Sequence, residues 1–185
     1  MKRNPIKYIL ILLLLFFFAC SNEESKSPAP SVNAPDQVME NSTITFSDKG
    51  VNTAVIWAKY IEVYEKLDLK KAKQVRIDFY DKEGVHTSVL VADSGRIQER
   101  KHKFEALGNV VVTTDEGVKL QTQSLRWDPD INKIVTDDFV TITKNKNVIT
   151  GYGLEADQKL DHIVIKKQVK GKITDISEEE LRDSL

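Results

Sequence analysis

The sequence predicts an all-β, antiparallel fold, and three observations carry that prediction. Short stretches rich in β-branched and aromatic residues are each closed by turn residues, as in Thr43-Ile44-Thr45-Phe46 before Ser47-Asp48-Lys49-Gly50. These units recur: Phe46 to Phe79 and Phe79 to Val112 are each 33 residues apart, and Gly50, Gly84 and Gly117 follow at 34 and 33. No proline falls between residues 36 and 128, as sheet interiors require, because proline cannot donate to a ladder. Recurrent hairpins of this length, with no long helix between them, build a curved open roll whose two faces turn toward each other.

The chain begins with Lys2, Arg3 and Lys7, followed by an uncharged run from Tyr8 through Ala19. That run of 12 residues is shorter than the roughly 20 apolar residues a spanning helix needs. Residues 1–19 are therefore read as a lipoprotein signal peptide. Ala19 supplies the small residue before the scissile bond, and Cys20, the single cysteine, supplies the thiolate to be acylated. Several acyl chains hold a protein on its bilayer where one would not. No cysteine is left for a disulfide.

Residues 20–36 are small and polar, with Pro28, Pro30 and Pro35, and read as a flexible tether. Without residues 1–19 the chain keeps 24 basic groups against 28 acidic ones, a net charge of −4 that argues against a nucleic-acid partner. Lys166, Lys167, Lys170 and Lys172 lack interleaved aromatics and read as a solvated face.

The strands occupy residues 37–173. Val75-Arg76-Ile77-Asp78-Phe79 precedes Asp81-Lys82-Glu83-Gly84, and Val110 to Thr114 precedes Asp115-Glu116-Gly117. Val118, Leu120 and Thr122 then alternate with Lys119 and Gln121, the period of a half-buried strand. The glycines stand where a hairpin needs positive φ. A weaker fourth unit runs through Val140-Thr141-Ile142, turns at Lys144 to Asn147 and ends at Leu154-Glu155-Ala156. Trp127-Asp128-Pro129-Asp130 is a turn signature. Ala58 to Lys73 is ambiguous between helix and strand; a strand through Ile61-Glu62-Val63-Tyr64 and then a charged turn is preferred. Residues 174–185 form a polar tail with a helix cap at Ser177 and too few residues for a stable helix.

Enzymatic chemistry is not indicated. His86, His102 and His162 have no metal-ligand spacing, no Ser/His/Asp arrangement stands out, and Gly151-Tyr152-Gly153 lacks the strand, loop and helix context of a phosphate site. No cofactor is expected. Two functions fit the residues: a module holding something hydrophobic between its sheet faces, or a structural or surface-exposed binding lipoprotein with a solid core.

The order of motifs resembles the LptC family, the membrane-anchored periplasmic component of lipopolysaccharide export. They run from Leu107-Gly108-Asn109-Val110, through Leu120 to Asp128 and Val140-Thr141-Ile142, to Ile149-Thr150-Gly151-Tyr152-Gly153-Leu154-Glu155-Ala156-Asp157. The resemblance spans about residue 37 to Ile173. It implies a twisted antiparallel β-jellyroll, open like a boat, that receives lipopolysaccharide from the inner-membrane ABC transporter subunits. The roll then passes it to a periplasmic bridge protein of the same fold. On this reading Phe46, Phe79, Val91, Val112, Leu120, Leu125, Val140 and Ile142 line the lipid-binding interior. Gly151 and Gly153 mark the bridge-facing region, where glycine lets the strand bend or a partner's backbone approach. Familiar members cross the inner membrane by one helix, whereas here an acylated Cys20 replaces it. The serine after Cys20 would, by an enteric-type sorting rule, direct the anchor to the outer membrane, but the family's role needs the periplasmic face of the inner one.

Overall fold

The computed structural model describes residues 34–172 and Thr174. The leader, Cys20, nearly all of the tether, and the tail beyond Thr174 lie outside the described residues. The described chain forms one sheet of nine antiparallel strands in sequential order. They are β1 (Gln37–Asp48), β2 (Val51–Tyr64), β3 (Leu69–Tyr80), β4 (His86–Gln98), β5 (Lys103–Thr114), β6 (Val118–Asp128), β7 (Lys133–Lys144), β8 (Asn147–Ala156) and β9 (Ile163–Lys172).

Local chemistry sets the hairpins. Lys49 and Gly50 both adopt positive φ, giving a two-residue turn whose twist matches the strands it joins. At Asp115-Glu116-Gly117 the amide of Gly117 donates to the Thr114 carbonyl at 2.9 Å, and Gly117 takes the left-handed position. The opposite ends of the strands turn differently. Single 3-10 turns at Glu65–Leu67 and Glu99–Lys101 are closed by Asp68 and His102, both at φ 50°. Carboxylates knit successive turns together there. Asp36 accepts from the Glu65 amide at 2.8 Å, and Asp68 accepts from the Arg100 amide at 3.1 Å.

Each strand is interrupted near its middle. Pairing skips Asn41 and Lys59 between β1 and β2, Gln74 and Asp93 between β3 and β4, and Gly108, Asn109 and Gln123 between β5 and β6. It also skips Asp137, Asp138 and Gly153 between β7 and β8. Asn41, Gln74, Gly108, Asn109, Gly153 and Gln168 all have positive φ. These bulges line up across the sheet as a crease, since an extra residue bends its strand and re-aims the following side chains. Ala58 and Ile61, Ala72 and Val75, and Thr122 and Leu125 are consequently buried three residues apart, where an unbroken strand would bury alternate residues.

The crease divides the sheet into two walls. One, the glycine-turn wall, runs from the crease to the turns at Lys49-Gly50, residues 81–85, residues 115–117 and Asn145-Lys146; the opposite wall carries the 3-10 turns. The walls face each other over an apolar interior built of two clusters. One centres on Leu120, Val140 and Leu154, the other on Ile56, Ile61 and Val75.

Candidate functional site

The interior is organised as rungs. Ile44 pairs with Ile56, and the register continues through Ile77, Leu90, Val112, Leu120, Ile142 and Ile149 to Gly171, crossing all nine strands. Directly paired residues share a face, so this is one continuous aliphatic stripe on the glycine-turn wall. The opposite wall answers with Met39, Ile61, Ala72, Gly95, Ala106 and Leu125 in register. Leu120, Val110, Val140 and Leu154 are fully buried. Each such side chain contributes about 1.5–3 kcal/mol of burial.

The walls meet with an offset. Phe46 of β1 and Phe104 of β5 pack edge-on, and Lys159, in the β8–β9 turn, lies 4.0 Å from Asp81, in the β3–β4 turn. The stripe emerges at the β9 end, where Ile149 is 38% exposed and Val169 57%. Two hydroxyls in the interior, Ser88 Oγ and Thr122 Oγ1, have no hydrogen-bond partner among the described residues.

Of the residues assigned to this interior from sequence, Val112, Leu120, Leu125, Val140 and Ile142 are buried in it, and Phe46 and Phe79 are half-buried against it. Val91 is not. It pairs with Arg76 and Val111 on the outward face and is 39% exposed, while its neighbour Leu90 points inward. The run Val89-Leu90-Val91-Ala92 is apolar on both faces and conceals its phase, which is set by pairing with Ile77 and Val112. The 33-residue spacing also drifts: Val112 lies on the rung of Ile44 and Ile77, not of Phe46 and Phe79, because the β3–β4 turn and the β5 bulge each insert a residue. Ile44, Ile56, Ile77, Leu154 and Phe104 were missed; for Ile44 and Ile77 the signal was alternation with Thr45 and Asp78, whereas Ile56 lies in a run that is apolar on both faces.

Gly151 and Gly153 lie in β8, one strand in from the sheet edge. A Cβ on Gly151 would stand 2.5 Å from Ile165 Cγ2 and 2.8 Å from the Lys167 carbonyl. The backbone that approaches it is therefore the chain's own β9. Gly153, at φ +72°, forms part of the crease.

On the outside, Asp157 is worked on from two directions. Partial burial pushes its carboxyl up, but the His162 ring at 2.9 Å and the amides of Asp161 and His162 outweigh this and hold it below the usual carboxylate value. Tyr64 is shifted up by its hydrogen bond to the Glu62 carboxylate. Among the described residues no group of three or more His, Cys, Asp or Glu side chains is arranged to hold a metal ion. No described helix is long and apolar enough to cross a membrane.

A single antiparallel sheet, creased into two walls around an apolar stripe, defines an open β-jellyroll. The chain belongs to the lipopolysaccharide-assembly, LptC-related family, which matches residues 7–174. Among solved structures it is similar to LptH, the LptA-homologous periplasmic component of the lipopolysaccharide transport device of Pseudomonas aeruginosa. The TM-score is 0.53 at 11% identity, covering 65% of this chain and 94% of that one. At that identity the likeness is one of fold. No curated protein sequence matches this chain.

Proposed function

We propose that this protein is a non-enzymatic component of lipopolysaccharide export, receiving the lipid from an inner-membrane ABC complex and handing it along a periplasmic bridge of similar β-jellyrolls. The observation that supports this best is the aliphatic stripe from Ile44 to Ile149, which crosses eight consecutive strands and surfaces at the β9 end. A lipid that slides must be held by area, at about 25 cal/mol per Å² of apolar surface, with no deep specific pocket. Because Leu120, Val140 and Leu154 are fully covered by the facing wall, acyl chains enter only as the walls part about the crease. Chain-to-wall contact then replaces wall-to-wall contact, so the exchange is close to neutral in apolar burial.

In this reading Cys20 carries the acyl anchor on the periplasmic face of the inner membrane, and β9 offers the free edge nearest Gly151 and Gly153 to the bridge partner. Replacing Cys20 with serine is expected to abolish incorporation of a labelled fatty acid, and separating the two membranes identifies the one that holds the wild type.

The same complete burial favours a second reading, a structural lipoprotein with a solid core and no lipid route. A photoreactive residue at Leu120 or Leu154 separates the two. The conduit reading expects adducts with lipopolysaccharide that rise when ATP-driven export is running, and none from outward Gln121. Adducts confined to neighbouring side chains, with export on or off, would establish the solid core.

A further inference from the structure

The two walls differ on their outer faces. The opposite wall carries mixed charge throughout: Glu62 pairs in register with Lys71 and Arg96 with Glu105, and Lys166 forms an ion pair with Glu155 at 2.7 Å. On the glycine-turn wall, away from the turns and the crease, the single outward carboxylate is Asp78, held by Arg76 at 2.6 Å. Four lysines face outward on its last strands. Lys119 pairs with Thr143, Lys167 with Tyr152, Lys170 with Thr150 and Lys172 with Val148, all rows opposite in phase to buried Leu120, Val140 and Ile142. None of the four forms an ion pair among the described residues, though the chain as a whole is acidic once residues 1–19 are removed. Among them stand Phe139 and Tyr152, edge to face at 5.1 Å and 46% and 45% exposed. The carboxylates nearest this pair are already engaged, Asp137 by Arg126 and Asp138 by the Ser124 hydroxyl.

We propose that this outer face of β6–β9 docks on an anionic bilayer surface. Unpaired ammonium groups supply the attraction to lipid phosphates. Tyr152 suits the boundary between headgroup and acyl chain, where a ring with an apolar body and one polar tip is at home, and Phe139 adds apolar area beside it. The inference rests on the leader holding the chain at a membrane. The 14 residues between Cys20 and Pro35 reach no farther than about 50 Å, so the bilayer is within range of this face.

The full chain is reconstituted in vesicles of neutral phosphatidylcholine, with or without phosphatidylglycerol, with a benzophenone side chain at position 152. Flotation confirms capture in both. Lipid adducts are expected in the anionic vesicles, much fewer in neutral ones, and loss of them in high salt, since exposed charges are screened. Each of K119Q, K167Q, K170Q and K172Q should lower the adduct yield on the order of five-fold. K71Q with K73Q, on the opposite wall, should leave it unchanged. Equal adducts in neutral and anionic vesicles, adducts to a second copy of the chain, or none at all would each overturn the proposal. No lipopolysaccharide or transporter enters the experiment, so its failure leaves the conduit reading standing.

Discussion

Phe46 and Phe104 meet edge to face, with ring centroids 5.8 Å apart and planes at 85°, although their strands are separated by three others in the sheet. Only a sheet folded back on itself brings β1 to β5, so this pair reports wall closure directly. Edge-to-face pairs add about 0.5–1.5 kcal/mol beyond area burial. Phe46→Leu and Phe104→Leu, made singly and together, are expected to show a coupling of that size in denaturant unfolding. Strict additivity would mean that the walls do not hold each other at this point.

The hydroxyls of Ser88 and Thr122, unpartnered among the described residues, lie in a mainly apolar interior. A buried hydroxyl without a partner carries a desolvation penalty of about 1–3 kcal/mol, and an apolar replacement of similar shape removes it. Ser88→Ala and Thr122→Val should therefore raise or leave unchanged the unfolding midpoint. If the interior admits lipid, the same changes should not weaken lipopolysaccharide crosslinking from Leu120. A marked loss of stability in both variants would show that the hydroxyls have partners that this packing does not reveal.

The hairpin turns at Gly50, Gly84 and Gly117 were legible in the sequence because positive φ there falls on glycine. At the other wall the charged turn after Tyr64 and the turn at Trp127-Asp128-Pro129-Asp130 were legible too, whereas the turns closed by His102 and Leu160 were not, because these side chains carry no signal for the left-handed position they take. The crease was hidden for a related reason. Asn41 and Gln74 look like ordinary strand residues, yet each advances its strand's phase by one, so alternation read across them assigns one half to the wrong face. Half-strands with a polar outward partner, such as Val118-Lys119-Leu120-Gln121, were placed correctly. Val91, flanked by apolar residues, was not, and the Gly151 environment depends on β9, which no local pattern could supply.

Asp157 ties the β8–β9 turn by accepting from the amides of Asp161 and His162. Its folded value is lowered from 3.8, so its contribution is fully present above the ordinary carboxylate value and fades only as pH falls through the lower folded one. An NMR titration of its carboxyl carbon is expected to give a midpoint below 3.8, and His162→Ala should move that midpoint upward. A midpoint at or above the ordinary value would show that burial, which acts in the other direction, is the larger influence.

Gly151 and Gly153 invite substitutions that the sequence alone would have assigned to partner binding. The geometry predicts damage to the fold first. Alanine at 151 places its Cβ 2.5 Å from Ile165 Cγ2 and 2.8 Å from a β9 carbonyl, and backbone cannot yield there without β9 moving outward. Alanine at 153 first meets the flexible Lys166 side chain, at 3.2 Å, but must hold φ +72°, which costs about 1–2 kcal/mol. Gly151→Ala should thus loosen one strand, seen as faster amide exchange along Ile163–Lys172 with β2 to β5 unchanged. Gly153→Ala should lower global stability by that modest amount while keeping β9 protected. With β9 as the proposed docking edge, Gly151→Ala should also weaken bridge assembly more than Gly153→Ala. Full retention of a bridge partner by a Gly151→Ala protein whose β9 exchanges freely would place the docking edge elsewhere.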